Sequence, residues 1–527
     1  MSQKDSPITL VAALFVTLGI LGGGLWFVGN NPPDFLKEIL GEVSGGSDTP
    51  TRSSSNLEQG EITLLGDTFS GYSTFRNAEF QQALKDVGIT LSYANEFDQT
   101  ARANLLNEGD ADLYVTTLDQ FLKQNPEGKI VGLIDRTIGA DAVVLNNKKY
   151  PGLNSLNSLQ ALQQSSQGNS LSITYAVDTP SEYLALVLST AFDSFNLSDF
   201  EVKEVVDASE AWQALQDPAG NVAVAVLWEP FVSQARNAGY TVVLSSNDAP
   251  TAILDVIVAG DRLLETRPDL VSDFLEAYYR HIDANIREPS QLKEQIATDG
   301  GLSPDEADSI LEGIDFFTSI EAKDWIQAGT LEQRIGSTAA VLVLSGKLSQ
   351  VPTDIPSLFT DEYVSNAALN TQTLIDLIKV DNPELADRLA GKGTTIQAVP
   401  QVAASEVAQA PDIGNLQVRG EVKFATGSAS LSQQSQTTLE QLVDQIEEFN
   451  PQTVGIRVIG HTSKTGDPDF NQKLSQQRAQ VVVDGLRQRG LQHNIVSEGK
   501  GFYLPLSGIA PEDPKQQRTE IRLVRLN

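Results

Sequence analysis

Residues Val454 to Leu486 read VGIRVIGHTSKTGDPDFNQKLSQQRAQVVVDGL, and this stretch constrains the fold more than any other. Val454, Ile456 and Val458 recur at every second position, the period of a strand with one buried face. Gly460 to Pro468 is turn chemistry, with two glycines, a proline and small polar side chains. A helix is expected next, capped by Asp469, with Leu474, Val481, Val482 and Leu486 as its buried stripe. Arg478 lies four residues from both Leu474 and Val482, so the pattern puts a guanidinium on or beside the apolar face. A buried cation needs a partner, because leaving half of a buried pair alone costs roughly 3–5 kcal/mol. Two partners suit it: an internal acid such as Glu520 or Asp469, or a ligand carboxylate gripped through two parallel N–H bonds.

Gly460-His461-Thr462, Asn471, Leu474-Ser475 and Arg478-Ala479 together resemble the signature of the OmpA C-terminal, peptidoglycan-binding domain family. Phe424 to Leu431 (FATGSASL) is similar to that family's opening strand and turn. Gly499-Lys500-Gly501 with Pro505 resembles its late glycine turn, and Arg518-Thr519-Glu520-Ile521 its closing strand. The resemblance implies an α+β domain over 417–527 that contacts peptidoglycan through Thr462, Ser463, Asn471 and Arg478. In the family an Asp follows the Gly-x-Thr and takes an ammonium of the peptide stem, while the helix Arg takes its carboxylate. Here the Asp position holds Ser463, followed by Lys464. A hydroxyl accepts a hydrogen bond without replacing an ion pair, and Lys464 repels an ammonium. Asp467 or Asp469 is the available substitute from the same loop.

A chain of 527 residues exceeds what one core supports, so two or three folded units are expected. The formal net charge of -32 argues against nucleic acid and against docking on an anionic membrane surface. With no cysteine, disulfides, thiolate metal sites, a cysteine nucleophile and an N-terminal lipidated cysteine are all excluded.

Ile8 to Val28 carries no charge, and as a helix it would span about 31 Å, the thickness of a bilayer core. It is read as a single transmembrane anchor, a cleaved signal peptide being the competitor. Residues 29–60 are rich in Pro, Gly, Ser and Thr and read as a linker. From Glu61 short apolar strands alternate with helical stretches, which implies α/β architecture with a largely parallel sheet. In such sheets ligands bind beyond the carboxyl ends of the strands.

Gly66-Asp67, Ser70-Gly71-Tyr72, Gly139-Ala140-Asp141-Ala142, Pro180-Ser181-Glu182-Tyr183-Leu184, Leu227-Trp228-Glu229-Pro230 and Leu254-Asp255-Val256 resemble stretches of one transporter-associated family. This is the family of periplasmic solute-binding proteins of nitrate-, sulfonate- and thiamine-precursor-type ABC transporters. The resemblance covers about 61–391 and implies a solute-binding domain over 61–395, a two-lobed fold closing on a small solute. It places the ligand cleft at Gly71, Tyr72, Thr116, Asp141, Ser181, Trp228 and Asp255. Each has a plainer reading beside this one. Ser181 follows Thr179-Pro180 as a helix cap would; Trp228 and Tyr72 suit a core; Asp141, Asp255, Gly71 and Thr116 suit turns. Residues 396–416 read as a second linker.

His281, His461 and His493 are far apart, and the chain has no HExxH and no P-loop glycines, so no catalytic residue, cofactor or metal is expected. The resulting expectation is an inner-membrane, single-pass protein with periplasmic domains, binding a solute and peptidoglycan. The substrate-binding component of an ABC importer, with a permease partner, and a wall-to-membrane tether without a ligand are the alternatives.

Overall fold

The computed structural model describes residues 60–166, 170–392, 399–418, 422, 424 and 427–526. The expected anchor at 8–28 lies outside them, as does its linker up to residue 59. Among the described residues no helix is long and apolar enough to cross a membrane.

Strands β1 (Glu61–Gly66), β2 (Thr90–Asn95), β3 (Leu113–Thr117) and β4 (Gly128–Thr137) start a first sheet. The chain then crosses into a second sheet of β5 (Asp141–Leu145), β6 (Ser172–Ala176), β7 (Glu201–Val205), β8 (Val222–Trp228) and β9 (Thr241–Ser245). It returns with β10 (Leu254–Gly260) and β11 (Ile314–Phe316) to complete the first. The orders are β11-β4-β10-β3-β1-β2 and β7-β6-β8-β5-β9. Each sheet thus places the strand that has just crossed over between the third and fourth of its own series.

That crossing corrects the expectation of a largely parallel sheet. β1 pairs β2 and β3 in parallel, and β6 pairs β7 and β8 in parallel. β10, however, runs antiparallel to both β3 and β4, and β5 to both β8 and β9. A strand entering from the other lobe arrives in the opposite direction. The apolar run Val256-Ile257-Val258 looks the same in either sense, because both faces of a central strand are buried.

Strands β12 (Asp412–Asn415), β13 (Val454–Gly460), β14 (Ile495–Gly499) and β15 (Thr519–Arg525) form a third sheet of order β12-β15-β13-β14. Helices Gln433–Glu447 and Pro468–Gln488 pack on it through Leu439, Leu442, Ala479 and Val482. The stretch expected to be a second linker is ordered in its second half. Residues Ala404–Gln409 are helical with Val407 buried, and β12 pairs with β15. Its apolar residues explain this: Ile413 and Leu416 enter a core shared by the second lobe and this third module. The module is docked. Phe192 and Phe449 meet edge to face at 5.8 Å, Gln417 N–H donates to the Ala191 carbonyl (2.8 Å), and Asn450 N–H to that of Asp248 (2.9 Å). Helix Thr330–Leu344, part of the first lobe's core, reaches the same module through Arg334 and Glu448 at 2.5 Å.

Helix Pro468–Gln488 lies unusually close to its sheet at two cross-strand glycines, Gly460 and Gly499. A Cβ on Gly460 would stand 2.3 Å from the Ser475 carbonyl oxygen, and one on Gly499 2.5 Å from the Gln476 nitrogen. Backbone atoms cannot step aside as a flexible side chain can. Gly460→Ala is therefore expected to destabilise the module by roughly 1–3 kcal/mol, read as an earlier urea midpoint. An unchanged midpoint contradicts the close approach.

Candidate functional site

Two constellations of polar side chains stand out, one at the crossover between the lobes and one in the third module. At the first, the crossing strands carry the key groups. Asp255 on β10 is the cross-strand partner of Asp135 on β4, and both are fully buried. Tyr72, in the turn after β1, donates its hydroxyl to Asp255. Gly71 beside it packs so tightly that an added Cβ would lie 2.4 Å from Asp135 Oδ2. Neither carboxyl oxygen of Asp135 accepts a hydrogen bond. Burial, and then the neighbouring Asp315, push the Asp135 carboxyl well above the usual range; burial and then Asp135 do the same to Asp255.

Across the crossover, Asp141 opens β5 opposite Trp228 on β8. The Ser181 hydroxyl donates to Asp141 Oδ1 at 3.3 Å. Burial, tempered by that hydroxyl and reinforced by Glu229, raises the Asp141 carboxyl to about 7. The helix at Pro180 is capped by Thr179, whose oxygen accepts from the Ser181 N–H, so Ser181 is free to face Asp141. Thr116 is buried on β3 and donates to Gln99 (2.9 Å). The structure thus gathers Gly71, Tyr72 and Asp255 on the first lobe, and Asp141, Ser181 and Trp228 on the second. Thr116 turns to its own lobe.

The lobes are linked by ion pairs. Helix Leu118–Gln124 leaves the carboxyl end of β3, and helix Pro180–Ala191 follows that of β6. Lys123 on the first pairs with Asp178, and with Glu182 at 3.3 Å; Lys347 also pairs with Glu182, which is 2% exposed. A small cavity of about 250 Å³ lies elsewhere, between helices Pro268–Arg287 and Glu362–Ile378, with Asp283 and Thr371 in its lining.

In the third module, Arg478 is 3% exposed. Its Nε donates to the Ser428 carbonyl (3.0 Å), its Nη1 to Gln517 Oε1 (3.2 Å), and its guanidinium covers the Phe424 ring at 5.1 Å. Burial pulls the guanidinium's pKa down. The same Gln517 donates from Nε2 to Ser463 Oγ at 3.4 Å, so one exposed amide spans from Arg478 to Ser463. Thr462 Oγ1 is buried and makes no hydrogen bond. Asn471 does not face the same space. It donates to the carbonyls of Thr465 (2.8 Å) and Asp467 (2.9 Å) and ties down the loop.

Residues 423–518 match the OmpA family. Outer membrane protein A of Shimwellia blattae is 34% identical over 101 residues, covering 19% of this chain and 42% of that protein. The chain thus spans less than half the length of that curated relative. Part of the chain is similar to the periplasmic aliphatic sulphonate binding protein of Escherichia coli. That likeness has 13% identity over 58% of this chain and 99% of that one, with a TM-score of 0.45. The periplasmic nitrate-binding protein of Synechocystis PCC 6803 is similar at 10% identity over 59% and 89%, with a TM-score of 0.47.

Within the OmpA module three expectations are corrected. The cap of the long helix is Asp467, whose Oδ1 accepts from Phe470 N–H, with Pro468 in the first turn; Asp469 lies exposed just inside. Proline has no N–H to be left orphaned there, so the cap moves to the residue before it. Its stripe also runs through Val483, with Val481 only half-buried. Glu520, offered as a partner for Arg478, instead holds His461 (3.2 Å), Arg518 (2.6 Å) and Arg522 (3.0 Å). Reading the sequence missed Asp135 and Gln517. An acid inside the apolar run of β4 was a visible signal for the first; nothing in the sequence marks the second.

Proposed function

We propose that the protein is a periplasmic solute-binding protein, without catalytic activity, that contacts peptidoglycan through its OmpA module. Residues 8–28 hold it in the inner membrane under this reading. The observation that carries it is the pairing of Arg478 with Ser463 through the single amide of Gln517, inside the stretch that matches the OmpA family. An exposed amide that satisfies both ends is a stand-in that a ligand can displace. An incoming carboxylate takes the Gln517 oxygen's place on the guanidinium, with a charge-assisted bond in exchange for a neutral one. Thr462 Oγ1, buried without a partner, offers a further donor at the same loop. Asp467 is occupied as a cap, so any acidic substitute for the family's Asp falls to Asp469.

Pull-down on purified sacculi tests the wall contact. Arg478→Ala is expected to lower retention at least tenfold, and Arg478→Lys nearly as far, because an ammonium keeps the charge but loses the planar fork. Retention equal to wild type in Arg478→Ala removes this residue from the site. The solute-binding half rests on two buried pairs at the crossover, Tyr72 with Asp255 on the first lobe and Ser181 with Asp141 on the second. A tether without a ligand is the second reading, favoured by the near-complete burial of these four side chains.

A further inference from the structure

We infer that the solute taken between the lobes is a small organic cation, a primary ammonium or an amidinium, received by Asp135 and Asp255 with Tyr72 beside them. This rests on the solute-binding reading above and names its ligand class. Asp135 and Asp255 stand directly opposite on antiparallel strands, an arrangement that like charges disfavour. Tyr72 satisfies one oxygen of Asp255. Asp135 is 0% exposed, yet both its oxygens go without a hydrogen bond, and Oδ2 is directed at the Gly71 turn. In the carboxylate form both orphaned atoms are acceptors, so what completes that form is a donor.

No described guanidinium nearby is spare to supply it. Arg136 follows Asp135 in the strand and so points to the opposite face, where it pairs with Asp315 and Glu321 (2.8 Å) and stacks on Phe317. Arg102 holds Asp67 (3.1 Å) and the carbonyls of Glu96 and Val115. Arg76 holds Asp299 and the carbonyls of Asp67 and Phe69. An anion entering here would meet two buried carboxyls and committed arginines. A metal ion fits poorly, since among the described residues no group of three or more His, Asp or Glu side chains is arranged to hold one. Lys123 and Lys347 pair with Glu182 across the lobes, and the inference requires those pairs to release for a solute to enter.

The test is thermal shift followed by calorimetric titration of the full 527-residue chain at pH 7.5. The probes are ethanolamine, putrescine and benzamidine against sodium nitrate and methanesulfonate. At least one cation is expected to raise the melting temperature with dose, and Asp135→Asn and Asp255→Asn to weaken its affinity at least tenfold. Near-UV circular dichroism checks that both variants keep the fold. Stabilisation by an anion and by none of the cations overturns the ligand class and leaves the solute-binding reading standing. Cation affinity unchanged in both folded variants overturns the assignment to these residues. If none of the five probes shifts the protein, the inference and the solute-binding reading fall together.

Discussion

Phe192→Ala is expected to cost roughly 3–5 kcal/mol and to uncouple the OmpA module from the second lobe. Phe192 is 1% exposed at the end of helix Pro180–Ala191, where it packs edge to face on Phe449. Around it Leu156, Phe195, Ile413, Leu416 and Leu442 form one continuous apolar core drawn from both units. Polar bonds frame the seam: Asp193 N–H to the Asn415 carbonyl (3.1 Å), and Arg525 to Asp248 (3.1 Å) and the Val242 carbonyl. Truncation removes the ring that both cores share and leaves a cavity at the boundary. Scanning calorimetry is expected to show the second lobe and the module melting together in the wild type. In the variant the module's transition separates and moves down. A variant that melts as one transition at the wild-type temperature contradicts a shared core. Under the proposed function, an ordered seam would carry any movement of the lobes to the OmpA-like module more directly than a flexible tether would.

That seam was not legible in the sequence. Residues 396–416 have the Ala, Pro and Gln composition of a linker, and composition alone does not reveal that Ile413 and Leu416 have somewhere to go. Local patterns served well where the periodicity was strong. β13 lies where Val454, Ile456 and Val458 alternate, and Arg478 is buried on the expected helix. Direction and register are non-local, and there the reading failed: nothing within β10 says that it enters its sheet reversed. Site residues divide in the same way. Tyr72, Asp255, Asp141 and Ser181 stand in short motifs that single them out, whereas Asp135 stands out only because a strand placed more than a hundred residues later sets Asp255 opposite it. Gln517 matters because of the space between two other side chains.

The protein is expected to be markedly more stable at pH 5 than at pH 8. Burial, the first cause in every case, holds four carboxyls above their ordinary values. Asp119 and Asp283 are held at about 6, and Asp141 and Glu321 at about 7. A carboxyl whose folded pKa is raised stabilises fully below its unfolded pKa, near 4, and that contribution is lost as pH rises through 6 to 7. Between pH 5 and 8 each of the four gives up roughly 1–3 kcal/mol, as an upper bound. Asp135 and Asp255 act in the same direction, and so does the net charge of -32, whose self-repulsion eases as acids are neutralised. Glu520 works the other way. Burial opposes its charge, but His461 and Arg518 outweigh that and hold it at about 2, so its contribution is present above about 4.5 and lost only below. The melting temperature should therefore rise by about 5 °C or more from pH 8 to pH 5 and fall again below about pH 4. A flat or rising melting temperature from pH 5 to pH 8 rules out protonated buried carboxyls. A cation seated between Asp135 and Asp255 favours their charged forms, so saturating ligand should flatten the slope near neutral pH, where the unliganded lobes are weakest.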